Sequence, residues 1–341
     1  MLQIGPHSID TKVLLAPMSG ISDLPFRRQA QALGCRYVVS EMVASQELAQ
    51  SRPDVVLRAA MNDDGLRVMQ LAGREAAWMA EGARIAEAMG AEIIDINMGC
   101  PARKVTGLLS GSALMRDLDH AESLIRATVE AASVPVTLKM RLGWDWQSLN
   151  APELAERAEA AGVKMLTVHG RTRCDFYKGT AKWDAVRPVK QATSLPLVVN
   201  GDIETPDQAR EALEQSGADA VMVGRAAVGR PWLPAAMDSA LRTGGALEVP
   251  PLEQRGAWAL AHYDATVAHY TEGHGQSREA GEDLGVRMAR KHLAAFVDSV
   301  ARWSSEQKSS AKAVLCRARD PEVVRVHLAG LVEQGEARAA A

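Results

Sequence analysis

The sequence predicts an α/β protein, a (β/α)8 TIM barrel followed by a small C-terminal α-helical domain. Eight short apolar runs, rich in branched residues, alternate with stretches of helical spacing, which is typical of buried parallel strands joined by helices. Eight such units within about 235 residues match the number and size of a TIM barrel. After Gly245 the alternation stops, and helical periodicity with few strand formers continues. These patterns predict a barrel and then a set of helices.

The eight apolar runs define the predicted strands, each bounded by Gly, Pro or polar residues. In chain order they cover residues 13–18, 37–42, 66–71, 93–98, 134–140, 165–168, 195–199 and 220–223. Gly90, Gly162 and Gly217 come two or three residues before the next strand, where helix C-caps are expected. A doubly wound open sheet is the main alternative. It would usually carry a Gly-rich fingerprint after its first strand, whereas this chain has Ser19-Gly20-Ile21-Ser22-Asp23 there.

The change of pattern also sets the expected domain boundaries. We expect the barrel to be a catalytic domain over residues 1–243 and the helical domain to cover 246–332. Pro250-Pro251 interrupts the chain shortly after the first boundary, which is typical of a connection between domains. The Ala-rich residues 333–341 are expected to form a flexible tail.

Composition and cysteine usage point to a cytoplasmic protein. Hydrophobic residues make up 47% and charged residues 24% of the chain, as in soluble globular proteins. No stretch approaches the roughly 20 apolar residues of a membrane span, and the N-terminus lacks the basic patch and apolar run of a secretory signal. The four cysteines, at 35, 100, 174 and 316, form no CxxC pair or disulfide framework. No Cys or His spacing supports a metal site.

The net charge of −3 argues against a strongly basic nucleic-acid binder, but one segment is locally basic. Residues 287–319 carry about +6, because eight cations face only Asp298 and Glu306. The eight are Arg287, Arg290, Lys291, Arg302, Lys308, Lys312, Arg317 and Arg319. Such a cluster can track the phosphates of a nucleic acid. A solvated helical face with no partner is the alternative that charge alone favours.

Conspicuous polar residues follow the predicted strands at their C-terminal ends, where TIM barrels carry their active sites. They are Gln70, Asp95, Asn97, Cys100, Lys139, Arg141, His169, Arg171, Asn200, Asp202 and Arg225. Lys139 stands in register with apolar core positions, so it needs an anionic partner or a strongly polar ligand unless it merely reaches the surface. Arg141 has the same parity along the strand, so both cations are expected to line one pocket.

The loops after the seventh and eighth strands predict a phosphate site. Val223-Gly224-Arg225 ends the last strand with a glycine and is expected to begin a helix, whose backbone N–H groups would bind an anion beside the guanidinium. Asn200-Gly201-Asp202, after the preceding strand, would supply the other half of the cup. The alternative is that these glycines only make tight βα turns.

Cys100 is the candidate reactive thiol. It follows a strand end in a loop shaped by Gly99 and Pro101, with the cations Arg103 and Lys104 close behind. Exposure and neighbouring positive charge favour a working thiol, although a lone cysteine is more often a small buried hydrophobe. Cys35 and Cys316 are interpreted as packing residues, and Cys174 stays ambiguous.

The chain resembles the tRNA-dihydrouridine synthases in a series of motifs that occur in the same order. They are Ala16-Pro17-Met18-Ser19-Gly20-Ile21-Ser22-Asp23, Asp95-Ile96-Asn97-Met98-Gly99-Cys100-Pro101, Lys104-Val105, His169-Gly170-Arg171-Thr172, Asn200-Gly201-Asp202-Ile203 and Gly224-Arg225-Ala226. The resemblance covers about residues 2 to 240 well and the helical tail more loosely. Residues 99–105 and 224–232 look closest to the bacterial B-type, or NifR3-like, branch. Ser22 stands where this family often has Thr, and both residues offer a hydroxyl.

The resemblance implies FMN as cofactor and NADPH, or NADH, as electron donor. Carried over residue by residue, it places Pro17, Met18 and Ser19 along the flavin and Gln70 and Lys139 at the polar edge of the ring. His169 would contact the flavin or the substrate. Asn200, Gly201, Asp202, Gly224 and Arg225 would hold the ribityl chain and phosphate.

The resemblance also implies tRNA as substrate, with hydride delivered to C6 of a uracil and a proton from Cys100 delivered to C5. Asn97, Arg141 and Arg171 would meet the substrate in the pocket, and Arg103 and Lys104 would steer its backbone. Arg287, Arg290 and Lys291 would hold the body of the tRNA, whose base must leave its stack to reach the barrel. We expect the enzyme to be a monomer and its target to be a D-loop uridine, position 17. A small-molecule pyrimidine reductase of the dihydroorotate or dihydropyrimidine dehydrogenase kind and a non-catalytic flavin-binding regulator are the alternatives.

Overall fold

A computed structural model describes residues 1–62, 64–107, 109–273 and 277–337. It begins with a short antiparallel hairpin of β1 (Leu2–Ile4) and β2 (His7–Ile9). The eight strands that follow form one parallel sheet in the order β3-β10-β9-β8-β7-β6-β5-β4. Their bounds are β3 (Val13–Leu15), β4 (Val39–Ala44), β5 (Val68–Ala72), β6 (Ile93–Met98), β7 (Val136–Arg141), β8 (Leu166–His169), β9 (Leu197–Asn200) and β10 (Ala220–Val223).

The sheet closes on itself into a barrel. The Leu15 N–H donates to the Tyr37 carbonyl at 3.0 Å, and Leu15 pairs in parallel with Val38, which joins β3 to the chain entering β4. Every predicted strand is present and the ring is complete, so the predicted (β/α)8 barrel is confirmed and the open-sheet alternative is wrong. Because all eight strands run in parallel, their C-terminal ends meet on one face.

The N-terminal hairpin covers the opposite end of the barrel and was not predicted. Leu2, Ile4 and Ile9 are buried in one cluster with the inward-facing side chains of the barrel. These partners are Leu14, Ala16, Tyr37, Val39, Val68, Ile93, Met165, Val198, Ala220 and Met222. The hairpin thus closes the floor of the barrel with apolar side chains and leaves the other face for chemistry.

Helices pack around the barrel and, apart from the four-residue helix that follows Cys100, bury apolar side chains against the outer side of the strands. Their bounds are α1 (Leu24–Ala32), α2 (Ser45–Ala49), α3 (Pro53–Arg58), α4 (Ala76–Ala88), α5 (Arg103–Thr106), α6 (Leu118–Ala131), α7 (Ala151–Ala160), α8 (Arg187–Ala192), α9 (Pro206–Ser216) and α10 (Leu233–Thr243). Gly90, Gly162 and Gly217 follow α4, α7 and α9 with positive φ angles of 92°, 102° and 71°. A left-handed residue commonly ends a helix, so these predicted C-caps are confirmed.

The C-terminal helical domain consists of α11 (Leu252–Gly273), α12 (Arg278–Ser299), α13 (Ser305–Leu315) and α14 (Pro321–Ala337). It has its own apolar core, which includes Tyr263, Phe296 and Leu315. Helix α14 ends at Ala337, five residues beyond the predicted boundary at 332, because the helical pattern continues into the Ala-rich segment. Residues 338–341 of the predicted tail lie outside the described residues.

Polar and aromatic contacts hold the helical domain against α1 and the loop that joins it to β3. Ring contacts join Phe26 to His292, with 4.6 Å between centroids, and His292 Nε2 lies 3.1 Å from the Ile21 carbonyl. The Tyr270 hydroxyl donates to Asp23 Oδ2 at 3.4 Å, while Asp23 Oδ1 caps α1 through the Phe26 N–H at 3.1 Å. Burial, with a smaller contribution from nearby Glu41, raises the pKa of Asp23 to about 7.

Substituting Asp23 with asparagine should make the protein more stable relative to wild type as the pH rises. The pKa of Asp23 in the folded protein lies above its ordinary value of 3.8. The free energy of unfolding of wild type therefore falls as the pH rises from about 4 through 7 and the buried carboxyl loses its proton. The asparagine amide has no such loss and keeps an oxygen for the cap. The difference in unfolding free energy between variant and wild type should therefore grow by about 2–3 kcal/mol from pH 5 to pH 8.

Urea unfolding of both proteins at the two pH values measures this difference. Asp117→Asn is the matched control, because Asp117 also caps a helix through its side chain but is exposed to solvent. A change of equal size in the control would show that cap charge alone, and not burial at the domain contact, accounts for the effect.

Candidate active site

Polar side chains meet at the C-terminal face of the barrel because neighbouring strands are in register there. Asn97 pairs with Lys139, Arg141 with His169, and His169 with Asn200. Residues that share a register level and the same parity point into the same pocket. The structure therefore brings together the predicted residues on strands β6 to β9.

The Cys100 loop is held in place by side chains on both sides. Asn97 Oδ1 accepts the N–H groups of Gly99 and Cys100 at 3.2 and 3.0 Å. The Cys100 carbonyl accepts from the Ser112 N–H and hydroxyl at 3.1 and 2.9 Å. A side chain at Gly111, where φ is 60°, would come within 2.9 Å of that carbonyl. Cys100 is a half-buried free thiol, and its backbone leaves the sulfur little freedom of position.

The predicted flavin residue Gln70 has its amide committed inside the barrel. Its Nε2 donates to Asp95 Oδ2 at 2.7 Å, and its Oε1 accepts from Asn97 Nδ2 at 2.8 Å. Asp95, which also accepts from the Thr137 hydroxyl at 2.6 Å, is buried, and burial raises its pKa. Sequence reasoning placed Asp95 at the strand end but assigned it no role. In the structure it anchors the network that orients Asn97 and, through Asn97, Cys100.

Lys139 is a buried cation with a neutral partner. Its ammonium donates to Asn200 Oδ1 at 3.1 Å, and Asn200 is itself fixed by a 2.7 Å bond to the Met222 carbonyl. Burial, and next the charge of Arg141, lower the pKa of Lys139 to about 8. A buried ammonium bonded to an amide favours a further electronegative group in the pocket. This supports the expectation that Lys139 addresses a ligand.

Arg171 forms a clamp with Asp202. Its guanidinium is therefore not open to the pocket as a hydrogen-bond donor. It is buried, and its five N–H groups bond to Asp202 at two positions, to the carbonyls of Lys178 and Gly179, and to His169 Nε2 at 3.3 Å. The expected contact of Arg171 with a uracil edge is therefore corrected, since no N–H group is left for it. The guanidinium can only donate, so His169 Nε2 accepts and Nδ1 carries the proton.

Hydrogen bonds, burial and nearby charges shift the pKa values of Asp202 in the clamp and of the adjacent His169. Burial would raise the pKa of Asp202, but the hydrogen bonds from Arg171 and the Ala181 N–H outweigh it, and the pKa is lowered. Arg225 also donates to Asp202 Oδ1, at 2.7 Å. Burial and the charges of Arg141 and Lys139 hold the pKa of His169 well below its usual range, so the ring is neutral.

The two loops predicted to form a phosphate cup follow the neighbouring strands β9 and β10, but one of them differs from the expected conformation. Gly224 leads into a three-residue 3₁₀ turn (Arg225–Ala227) instead of an α-helix, and α10 begins only at Leu233. The expected helix N-terminus is therefore absent at this point. The positive φ of Gly229, followed by Pro231, prevents the turn from continuing as an α-helix. Gly201, with φ at 123°, lies so close to His169 that a Cβ would come within 2.9 Å of the ring.

The loop after β3 lies beside the loop after β10, and the helical domain reaches it. Met18 closes this loop through two bonds to the Ser22 hydroxyl, at 2.8 and 3.2 Å. A Cβ at Gly224 would lie 3.7 Å from the Met18 sulfur, so the two loops are neighbours. Pro17 and Met18 are half-buried and Ser19 is exposed. Exposed Lys291 of α12 would contact a Cβ at Gly20 at 3.1 Å, which places it at the mouth.

The remaining predicted substrate residues are dispersed. Arg141 donates to the Gly99 carbonyl at 2.8 Å and to the Thr172 and Phe176 carbonyls, so it holds the Cys100 loop. Arg103 is exposed on α5, and the side chain of Lys104 lies outside the described residues. On α12, exposed Arg287 pairs with Asp283 at 2.9 Å. Arg290 is half-buried and donates to the Ala318 carbonyl at 3.2 Å, so it serves the helical domain itself.

Sequence reasoning missed the aromatic side chains at this face. Trp144 and Trp146 follow β7, and Phe176 and Tyr177 follow β8. A usable signal existed, because Phe, Trp and Tyr make up only 4% of the chain and two pairs fall in loops after adjacent strands. Within the part of the chain that the structure describes, no group of His, Cys, Asp and Glu could hold a metal ion. Among the same residues, no helix has the length and apolar character needed to span a bilayer.

Comparisons with known proteins identify the family and the fold. A family model described as dihydrouridine synthase (Dus) matches residues 14–323. A probable tRNA-dihydrouridine synthase of Rhizobium leguminosarum is 48% identical over 328 residues, which cover 96% of this chain and 97% of that protein. The tRNA-dihydrouridine synthase B of Pseudomonas aeruginosa is 44% identical over 294 residues, or 86% of each chain. Histamine dehydrogenase from Rhizobium sp. 4-9 shares the fold with a TM-score of 0.55 at 13% identity, over 77% of this chain and 50% of that one.

Proposed function

Because the chain belongs to the dihydrouridine synthase family, we propose that it reduces the C5=C6 bond of a D-loop uridine, position 17, in tRNA. The proposed cofactor is FMN, and NADPH, or alternatively NADH, is the proposed electron donor. The overall reaction consumes one NADPH and one proton for each dihydrouridine formed. The observation that carries the proposal is the Cys100 loop, which is pinned by Asn97 and Ser112 beside the buried ammonium of Lys139.

The residues at the mouth fit a flavin mononucleotide. Lys139 is a buried cation whose partner is a neutral amide, which suits the electron-rich edge of a flavin ring. Gly201 and Gly224 keep two adjacent loops free of side chains where a phosphate or sugar could approach. Arg225 lies at the rim of those loops with its side chain 60% exposed, so it can turn from Asp202 to a phosphate. When bound, the flavin would supply the hydride for uracil C6.

Cys100 completes the reduction as the proton donor. Hydride addition at C6 leaves negative charge on the uracil, and the Cys100 thiol quenches it by protonating C5 as its S–H bond breaks. The resulting thiolate takes a proton from solvent, to which the half-buried side chain has access. Asn97 contributes by position, because its side-chain oxygen accepts the backbone N–H groups of Gly99 and Cys100. The neutral His169 offers a hydrogen-bonding group without adding a cation.

The tRNA would reach this mouth from the side of the helical domain. Lys291 lies at the entrance and Arg287 on the same helix one turn away, so both can meet the backbone near the extruded base. Arg103 stands on the helix that follows Cys100. We place the protein in the cytoplasm, where its tRNA substrate would be found. We propose that it acts as a monomer, since one barrel carries all the residues that the proposed reaction uses.

The test is direct. Purified protein is incubated with NADPH and unmodified tRNA, and the nucleosides are analysed by mass spectrometry for dihydrouridine and its position. The cofactor released by denaturation is identified in the same way. Dihydrouridine at a D-loop position and released FMN are expected. Reduction of free uracil or uridine with none in tRNA would replace this function by that of a small-molecule pyrimidine reductase.

A further inference from the structure

Two loops on the catalytic face form one ledge. The loop after β7 and the loop after β8 are joined by backbone bonds from Arg173 to Gly143 and from Cys174 to Trp144, both at 2.9 Å. The Trp146 indole N–H adds a third link, to Asp175 Oδ1 at 3.0 Å. A ledge tied at three points presents its side chains in fixed positions, as a recognition surface requires.

Guanidinium groups and aromatic rings alternate along this ledge. The Arg173 guanidinium lies 4.6 Å from the ring centroid of Trp144 and 4.5 Å from that of Phe176. Arg116 covers Trp144 at 4.9 Å. Arg173 also donates to the Thr106 hydroxyl at 3.3 Å, on the short helix that follows Cys100. The stack is thus connected to the Cys100 loop, and we call Trp144, Trp146, Phe176 and Tyr177 with Arg116 and Arg173 the aromatic rim.

Two rings of the aromatic rim remain open to solvent. Trp146 is 47% exposed and Tyr177 56% exposed. The Tyr177 ring lies 5.5 Å from the Arg141 guanidinium and 5.6 Å from that of Arg225. Arg141 holds the Gly99 carbonyl, so Tyr177 stands between the Cys100 loop and the proposed phosphate loops. A ring in this place would meet whatever covers the mouth.

The position of the aromatic rim complements that of the helical domain. In the closed ring of strands, β7 lies four places from β3 in either direction. The helical domain contacts the loop after β3, so the aromatic rim stands across the mouth from it. A large substrate held by the helical domain would extend over the barrel towards these rings.

We propose that the aromatic rim binds unpaired nucleotides of the RNA substrate next to the target uridine, by stacking their bases on Trp146 and Tyr177. The inference deepens the proposed function and rests on it. Bases splayed from an RNA loop stack on aromatic rings and on guanidinium planes, and the rim offers both. The nearby carboxylates of Asp145 and Asp175 are occupied by the loops' own donors. The guanidinium groups of Arg116 and Arg173 lie against the rings of the rim and can attract phosphates.

The experiment measures the affinity of wild type, Trp146→Ala and Tyr177→Leu for unmodified tRNA by fluorescence anisotropy. Each variant should raise the Kd about tenfold, because a base–aromatic stack is lost. The slope of log Kd against log salt should stay as in wild type, because no phosphate contact is removed. Tyr177→Phe keeps the ring and should bind like wild type. Leu149→Ala, at a 44% exposed residue of the same loop, is the matched control and should also bind like wild type.

The outcomes separate this inference from the proposed function. If wild type forms dihydrouridine and both ring variants bind tRNA within twofold of wild type, the aromatic rim does not stack nucleotides and a protein partner becomes its better occupant. If the ring variants bind weakly while wild type forms no dihydrouridine, the proposed reaction fails and the RNA surface stands. A thermal melt of each variant checks folding. Trp146→Ala removes the hydrogen bond to Asp175 as well as a ring. The comparison of Tyr177→Phe with Tyr177→Leu therefore tests the loss of a ring alone.

Discussion

Cys100→Ala should lower the rate of dihydrouridine formation in tRNA by about 10²–10⁴-fold, the range expected when a positioned general acid is removed. Alanine leaves the Asn97 and Ser112 bonds in place, since both are made to the backbone of residue 100. The loss therefore reports the thiol and not the loop. Single-turnover measurement of dihydrouridine, with the flavin reduced beforehand, isolates the step at the uracil from the supply of electrons.

Cys174→Ala provides the matched control for this prediction. Cys174 is an exposed cysteine in the loop after β8, and its backbone N–H, not its thiol, bonds to Trp144. The control should reduce tRNA at the wild-type rate. A Cys100→Ala protein that reduces tRNA as fast as the control would assign the proton at C5 to another donor.

Asp202→Asn should destabilise the protein by about 2–3 kcal/mol, because the buried Arg171 guanidinium loses its anionic partner, although Asp202 itself is 26% exposed. Asparagine keeps the size of the side chain and tolerates the left-handed backbone of residue 202, where φ is 52°. It cannot compensate the charge of Arg171, whose side chain is 2% exposed. The variant leaves a buried guanidinium facing an amide, and the loop after β8 loses its anchor.

Asp207→Asn is the control, because Asp207 pairs with Arg210 on the surface and is 92% exposed. Exposed pairs contribute little to stability, so urea unfolding should place this variant within about 0.5 kcal/mol of wild type. If Asp202→Asn lowers the free energy of unfolding no more than this control does, the charge of Arg171 is screened by solvent in the folded protein.

The sequence predicted those parts of the fold that depend on a local pattern of residues. Buried parallel strands need continuous apolar runs, and those runs predicted all eight barrel strands. The position of Cys100 at the mouth was also predicted, because a TIM barrel places strand ends on one face. The role of the thiol stays a prediction. The hairpin at the barrel floor was not predicted because strands of three residues, such as Leu2–Ile4, are too short to show alternation.

The errors concern contacts between loops. The Arg171–Asp202 clamp joins residues 31 positions apart, and no periodicity links them, so Arg171 was assigned to the substrate. The helix expected after Gly224 is replaced by a 3₁₀ turn, since the conformation of Gly229 is set by its close approach to the backbone of Phe296 in the helical domain. Aromatic residues in loops carry no pattern of their own, and their stacking with arginines becomes visible only when the loops are placed together.

The floor hairpin has a consequence for how the chain is made. Its apolar side chains are synthesised well before their partners Val198, Ala220 and Met222, which are among the last residues of the barrel. Strand β3 likewise pairs with β10, so the ring cannot close until residue 223 has left the ribosome. At about 5–20 residues per second, the hairpin waits on the order of 10–40 s for its partners. During that interval Leu2, Ile4 and Ile9 form an exposed apolar segment of the nascent chain, a suitable target for a chaperone.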